Sequence, residues 1–192
     1  NEFKNTIILY KKIKKINPHL VLSYFAKPAI FGTIAAKMAK VPKIFAMLEG
    51  LGYTFTEQPE GLSTKTKFIK KSQITLFKLS LPLADGVIFL NPDDPKDLLV
   101  KNNIEVKKVH LLGGIGINLA DYPFSTKQLN DNITFIFVGR LLKEKGINDY
   151  VNAAKIVKKK YPNTKFVVLG ATDNSNFGSL TQKDIDSLVQ TN

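Results

Sequence analysis

From residue 2 to residue 48 the chain passes twice from helical spacing of apolar residues to a short, continuous apolar run. Phe3, Ile7, Tyr10, Ile13 and Ile16 recur near helical spacing with Lys11, Lys12, Lys14 and Lys15 between them, which predicts an amphipathic helix over residues 2–16. Asn17-Pro18 stops it, and residues 19–25 form the first apolar strand. Pro28 opens a second helix running to Lys40, whose Gly32, Ala35, Ala36 and Ala39 allow close packing on a sheet. Val41-Pro42 ends that helix, and residues 43–48 are the next strand. Helix and strand in alternation with short connections require right-handed parallel crossovers, so the fold class is α/β with a doubly wound parallel sheet. In such a sheet ligands sit at the C-terminal ends of the strands.

The first such end carries Glu49 and a glycine-rich aromatic loop containing Gly50 and Gly52, prolonged by polar residues to about residue 64. A helix over 62–83 follows, with Phe68, Ile69, Phe77, Leu79 and Leu81 among five lysines. The third strand covers 86–90, and Asn91-Pro92 leads into a short helix reaching Asn103. Asp93 and Asp94 at its start read as capping and dipole-complementing residues rather than metal ligands. A fourth strand over 106–112 meets Gly113 and Gly114. Residues 113–132 lack periodicity and read as a linker between a first domain, 1–112, and a second, 133–192. The cycle then restarts with a strand over 133–138, a helix over 147–161, a strand over 165–169 and a final helix with a Thr181…Asp184 capping-box pattern. Two strands do not close an α/β layer, so the second domain is expected to continue beyond this chain.

Gly139 ends the strand at 138, and Arg140 follows it. Of the 28 Lys and Arg residues, Arg140 is the single arginine. A site that keeps a guanidinium fork against that bias points to bidentate recognition of phosphate or carboxylate. Lys145 stands just before Gly146 and the next helix, so strand end, cations and helix N-terminus come together as an anion site requires. The alternative is an arginine paired with a surface carboxylate.

Net charge is +12. The first 80 residues hold 14 lysines, four glutamates and no aspartate. That asymmetry fits a polyanionic partner, an anionic membrane or nucleic acid, and equally a lysine-rich solvated surface. The absence of cysteine excludes disulfides and thiolate chemistry, and two isolated histidines, His19 and His110, leave no zinc cluster. With no apolar run of membrane-spanning length and no signal peptide, the chain reads as soluble and cytoplasmic; it lacks an initial Met and reads as an internal piece.

Ser23-Tyr-Phe-Ala-Lys-Pro28, Gly50-Leu-Gly-Tyr-Thr-Phe55, the stretch from Ala84 to Asp94, Leu112-Gly-Gly-Ile-Gly-Ile-Asn118 and the stretch from Val138 to Gly146 resemble, in order and spacing, family 4 retaining glycosyltransferases. The resemblance is to bacterial enzymes that act on lipid-linked or cell-surface glycans, such as lipopolysaccharide and capsule. It implies the GT-B fold, two Rossmann-like domains facing across a cleft, both incomplete here, and hexosyl transfer without a metal or other cofactor. It also implies a UDP- or GDP-type sugar donor, a lipid-linked saccharide acceptor, and peripheral association with the anionic inner face of the plasma membrane, with no nucleic acid as partner. Arg140, Lys145 and Gly139 would hold the donor diphosphate, and Gly50, Gly52, Gly113 and Gly114 would line the cleft and hinge. Where the family often has a histidine after the second of these strands, this chain has Glu49, the candidate catalytic residue. The pair Glu49 and Glu57 imitates the spacing of the family's donor-binding glutamates, but in the wrong domain. As a fragment the chain is expected to be inactive alone. Two rivals are a basic nucleic-acid-binding α/β module and a nucleotide-binding oxidoreductase, whose glycine fingerprint begins at Gly50 and at Gly114 and then fails.

Overall fold

The computed structural model describes residues 2–56, 61–124, 133–172 and 179–189. The chain divides into two compact units, Asn1–Asn118 and Leu119–Asn192.

Unit one contains α1 (Glu2–Ile16), β1 (Leu20–Tyr24), α2 (Ala26–Met38), β2 (Lys43–Leu48), α3 (Thr64–Ser80), β3 (Gly86–Phe89), α4 (Asp93–Pro95) and β4 (Val109–Leu111). The four strands are parallel and lie in sequence order, β1-β2-β3-β4. Right-handed crossovers that always step in one direction place their helices on one face of the sheet. Accordingly Ile44, Ala46, Leu48, Val87 and Phe89 are buried in a core with Ala29, Ile30, Ala35, Ala36 and Phe77. Leu20, Leu22 and Tyr24 point from the other face and are exposed among the described residues. The small residues of α2 permit its close approach: a Cβ at Gly32 would strike the Ser23 side chain of β1. Ser63 caps α3, its hydroxyl accepting from the Thr66 N–H at 3.2 Å.

Three local expectations are corrected. The strand expected over 106–112 pairs only at Val109–Leu111. The cap of α4 is Asn91, whose Oδ1 accepts from the N–H groups of Asp93 at 3.0 Å and Asp94 at 2.8 Å, because an amide oxygen two or three residues upstream reaches those donors without burying charge. Asp94 is half-buried, and burial pushes its carboxyl above the usual range. Finally, Phe68 and Leu79, counted in the apolar stripe of α3, are 72% and 63% exposed. Phe77 and Ser80 are the residues of α3 that are buried, and Leu76 packs against the same core.

Asp85 fastens the start of β2 to the chain ahead of β4. Its N–H donates to the Ile44 carbonyl at 2.7 Å, while its carboxylate accepts from the Ile44 N–H at 2.9 Å and from Lys107 Nζ at 2.8 Å. Lys107 first, and then the Ile44 N–H, hold the carboxyl below the ordinary aspartate range. A lowered folded-state pKa gives stability that is complete above the unfolded value and lost as pH falls through the folded one. Asp85→Ala is therefore expected to cost about 1–2 kcal/mol at neutral pH, converging with the parent in acid. Thermal melts that show the same gap at both pH values would mean that the carboxylate is idle.

Unit two contains β5 (Thr134–Val138), α5 (Ile147–Lys160), β6 (Lys165–Leu169) and α6 (Gln182–Val189). β5 and β6 pair in parallel. Leu141, Ile147 and Leu180 form a small core. The Tyr150 hydroxyl, reaching from α5, lies 3.0 Å from the carbonyls of Phe135 and Val167 and accepts from the Val167 N–H at 3.1 Å, joining the helix to both strands. Thr181 and Asp184 cap α6 reciprocally: the threonine hydroxyl donates to Asp184 Oδ2 at 2.7 Å and accepts from the Asp184 N–H at 3.2 Å. Residues 125–132 of the expected linker, and Glu57, lie outside the described residues.

Candidate functional site

In unit two the candidate anion site is assembled at the C-terminal end of β5. Gly139 continues the pairing, its N–H donating to the Leu169 carbonyl at 3.0 Å, and the Leu141 N–H donates to the Ala171 carbonyl at 3.0 Å. A Cβ at Gly170 would fall on the Gly139 carbonyl, so the chain leaving β6 packs directly against the turn that carries Arg140. Leu141 and Leu142 are buried, which anchors the turn and leaves Arg140 exposed before them. One 3-10 turn, Lys143–Lys145, then leads to Gly146, held in the left-handed region at φ 79°. The Gly146 carbonyl accepts from the Tyr150 N–H at 2.9 Å, and α5 starts. The N-cap of α5 is Gly146, which has no side chain to offer its first N–H groups. The first N–H groups of a helix have no partner within the helix, which makes this end a place an anion can occupy, with Asp149 in the first turn as the competing charge. Lys145 is exposed beside this helix start. Sequence spacing and structure agree here in placing Gly139, Arg140 and Lys145 on one connection between a strand end and a helix N-terminus.

In unit one the remaining candidates lie at the same end of the other sheet. Glu49 is half-buried directly after β2. Gly50 and Gly52 have φ of 143° and 78°, conformations that side-chain-bearing residues rarely adopt, and Leu51 between them is buried. Thr54 Oγ1 donates to Gln73 Oε1 on α3 at 2.9 Å, and Lys70 Nζ lies 4.6 Å from the centroid of the Phe55 ring. Sequence reasoning missed these two anchors. The available signal was that Thr66, Gln73, Phe77 and Ser80 share one helix face, so a polar Gln73 points inward and needs a partner. Past β4, the Leu112 N–H donates to the Phe89 carbonyl at 2.9 Å, Gly113 has φ 81°, and Gly114 has open space around it.

A second missed feature is Phe25, between β1 and α2, at φ 66° and ψ 157°. An aromatic residue held in that glycine-favoured region stores strain at the C-terminal end of β1. Its ring lies 5.4 Å from that of Tyr24. No local pattern announced it. Among the described residues no group of three or more His, Cys, Asp or Glu is arranged to hold a metal. No helix of the described residues is long and apolar enough to cross a membrane.

Two parallel α/β units, each with its candidate side chains at C-terminal strand ends, define the class of Rossmann-like ligand-binding proteins. Family models narrow it: residues 1–91 match "Glycosyl transferase 4-like" and residues 120–187 match "Glycosyl transferases group 1". Both stretches thus match glycosyltransferase models, and the fold is that of the GT-B enzymes. It is 29% identical over 184 residues to the N,N'-diacetylbacillosaminyl-diphospho-undecaprenol alpha-1,3-N-acetylgalactosaminyltransferase of Campylobacter jejuni, covering 90% of this chain and 47% of the relative. It is 26% identical to the UDP-Gal:alpha-D-GlcNAc-diphosphoundecaprenol alpha-1,3-galactosyltransferase of Escherichia coli, covering 88% of this chain and 44% of that one. Among solved structures, sucrose-phosphate synthase from Thermosynechococcus elongatus superposes with a TM-score of 0.68 at 18% identity, covering 98% of this chain and 46% of the synthase. The chain thus spans under half the length of each of these proteins.

Proposed function

We propose that the full-length protein transfers a hexose from a nucleoside-diphosphate sugar to a lipid-diphosphate-linked glycan at an anionic membrane, with retention of anomeric configuration. The observation that carries this reading is the turn Gly139–Gly146, where the one guanidinium of the chain and Lys145 stand beside a helix N-terminus whose N-cap is Gly146. When the glycosidic bond of the donor breaks, negative charge grows on the departing diphosphate. Donors already fixed at that position lower the barrier because they need no reorganisation. Arg140 supplies a bidentate fork, Lys145 a point charge, and the first N–H groups of α5 a dipole. These groups do the work for which other transferases recruit a metal, so nucleoside-diphosphate sugar serves as substrate with no cofactor. We assign Glu49, at the glycine-rich loop of unit one, the role of accepting a hydrogen bond from the acceptor hydroxyl as it attacks. Gly50, Gly52 and Gly113, each at positive φ, supply the bends at those strand ends.

The names of the two relatives support a lipid-diphosphate acceptor, and that of the E. coli enzyme a UDP-linked donor. The test is transfer by the full-length protein from a panel of UDP- and GDP-hexoses to an undecaprenyl-diphosphate sugar, with product anomers read by NMR. UDP calorimetry and a duplex-DNA gel shift run beside it. Transfer from UDP-hexoses is expected. DNA binding without nucleotide binding, or hydride transfer with a nicotinamide cofactor, would replace this reading with one of its rivals.

A further inference from the structure

A single residue joins β1 to α2. The strand ends at Tyr24 and the helix begins at Ala26, so Phe25 alone turns the chain, at φ 66° and ψ 157°. That region is populated essentially by glycine. Among the described residues, the strand ends after β2, β4 and β5 that need positive φ use glycine for it, at Gly50, Gly52, Gly113 and Gly139. Asn17, Lys40 and Asn103, the other side-chain-bearing residues at positive φ, follow helical segments, where the left-handed conformation ends helices. The bend at Phe25 is fixed from both sides. Its carbonyl accepts from the Ala29 N–H at 2.9 Å, and α2 lies so close on β1 that a Cβ at Gly32 would strike Ser23. Glycine in place of Phe25 would remove the strain, and burial of the ring offsets little of it, because the residue is 55% exposed. Exposure alone marks nothing in a chain with many open apolar side chains. The strained backbone beneath this ring sets Phe25 apart, since a local rule broken without a gain in packing is a mark of function.

We infer that Phe25 is kept at this bend to position the acceptor sugar, the face of its ring packing against the C–H face of a saccharide beside Glu49. The inference rests on the acceptor role given above to unit one and names a residue for it. Tyr24 pairs with Met47 in the parallel register of β1 and β2, so Phe25 and Glu49 stand one and two residues beyond that pair, on neighbouring strands about 5 Å apart. The Tyr24 ring, 5.4 Å from that of Phe25 and tilted 51° to it, widens the aromatic surface. A pyranose presents C–H groups on its face and hydroxyls around its rim, so an aromatic face next to a carboxylate meets both. Glycine would make the same turn and carry no ring. A ring on a backbone held from both sides has few other places to go, and the rate of transfer depends on how narrowly the attacking hydroxyl is placed.

The experiment measures transfer by the full-length protein from UDP-hexose to undecaprenyl-diphospho-N-acetylglucosamine, with the KM of each substrate determined separately, together with UDP calorimetry and thermal melts. Phe25→Gly and Phe25→Ala should each raise the acceptor KM about tenfold and leave the donor KM and UDP affinity within about twofold of the parent. Phe25→Gly should melt about 2–4 °C above Phe25→Ala, because both lose the ring and only glycine relieves the bend. Phe25→Tyr keeps the aromatic face and should keep the acceptor KM. Lys40→Gly, which relieves a positive φ at the other end of α2, should keep it as well. Parent-like acceptor KM in both Phe25→Gly and Phe25→Ala, whatever their melts, would make the ring a packing residue and overturn the inference. So would a donor KM that rises as far as the acceptor KM, or equal melting of the glycine and alanine variants. If the acceptor KM is unmoved while UDP still binds, the transferase reading stands without Phe25; if the parent binds neither UDP nor GDP, or transfers to no undecaprenyl-diphosphate sugar, that reading fails and this one with it.

Discussion

In the full-length protein, Arg140→Ala is expected to weaken UDP binding by about 30- to 150-fold, the value of a lost charge-assisted bidentate contact of about 2–3 kcal/mol. Arg140→Lys should recover only part of the loss, because an ammonium replaces the charge but not the fork. Lys145→Ala should cost less, about tenfold, since it contributes a single flexible charge beside the helix dipole. The anchor of the turn is its two buried leucines, Leu141 and Leu142, so these variants should keep the parent's thermal melt. Calorimetry with UDP and GDP measures the effect, and circular dichroism checks the fold. Parent-like affinity in both alanine variants would remove Arg140 and Lys145 from the donor site.

The second large effect is expected at a residue that touches no ligand. Gly170→Ala places a methyl group on the Gly139 carbonyl and close to the Leu141 side chain. Backbone cannot swing aside as a lysine tip can, and the Gly139 N–H and Leu141 N–H are both committed to the chain leaving β6. The turn that carries Arg140 must therefore shift, at a cost of about 3 kcal/mol. We expect a clear fall in melting temperature together with weaker UDP binding. Gly114→Ala is the control: an added Cβ there meets nothing within 4 Å, and its stability effect should stay within about 0.5 kcal/mol. If Gly170→Ala melts and binds like the parent, the close approach of the two strand ends is not what positions Arg140.

Local chemistry was enough to read most of the elements. The bounds of α1, β2, β6 and the start of α5 follow from helical or continuous apolar spacing ended by Asn17-Pro18, Val41-Pro42, Gly170 and Gly146, and those signals act within a few residues of where they stand. The reciprocal cap of α6 was legible for the same reason, since Thr181 and Asp184 satisfy each other across one turn. The position of the candidate site also followed from sequence, because parallel crossovers leave C-terminal strand ends open and an arginine placed directly after a strand can only emerge there.

What the sequence could not decide are contacts between residues far apart in the chain. It marked α3 as amphipathic, yet which of its apolar residues turn inward depends on where α2 and the sheet lie, and the tertiary structure buries Phe77 while leaving Phe68 and Leu79 outside. Asp85 reads as a turn residue until the fold brings Lys107 and the Ile44 N–H to its carboxylate. Gln73 and Thr54 lie 19 residues apart and become partners only when the loop folds back on the helix. Gly114 and Gly170 are the same residue type, one free to change and the other not, because only the packed structure puts a carbonyl against one of them. Periodicity, capping and turn chemistry are short-range and written in the local sequence; side-chain partnership, strain at Phe25 and the room around a glycine arise from surfaces that meet only after the crossovers close.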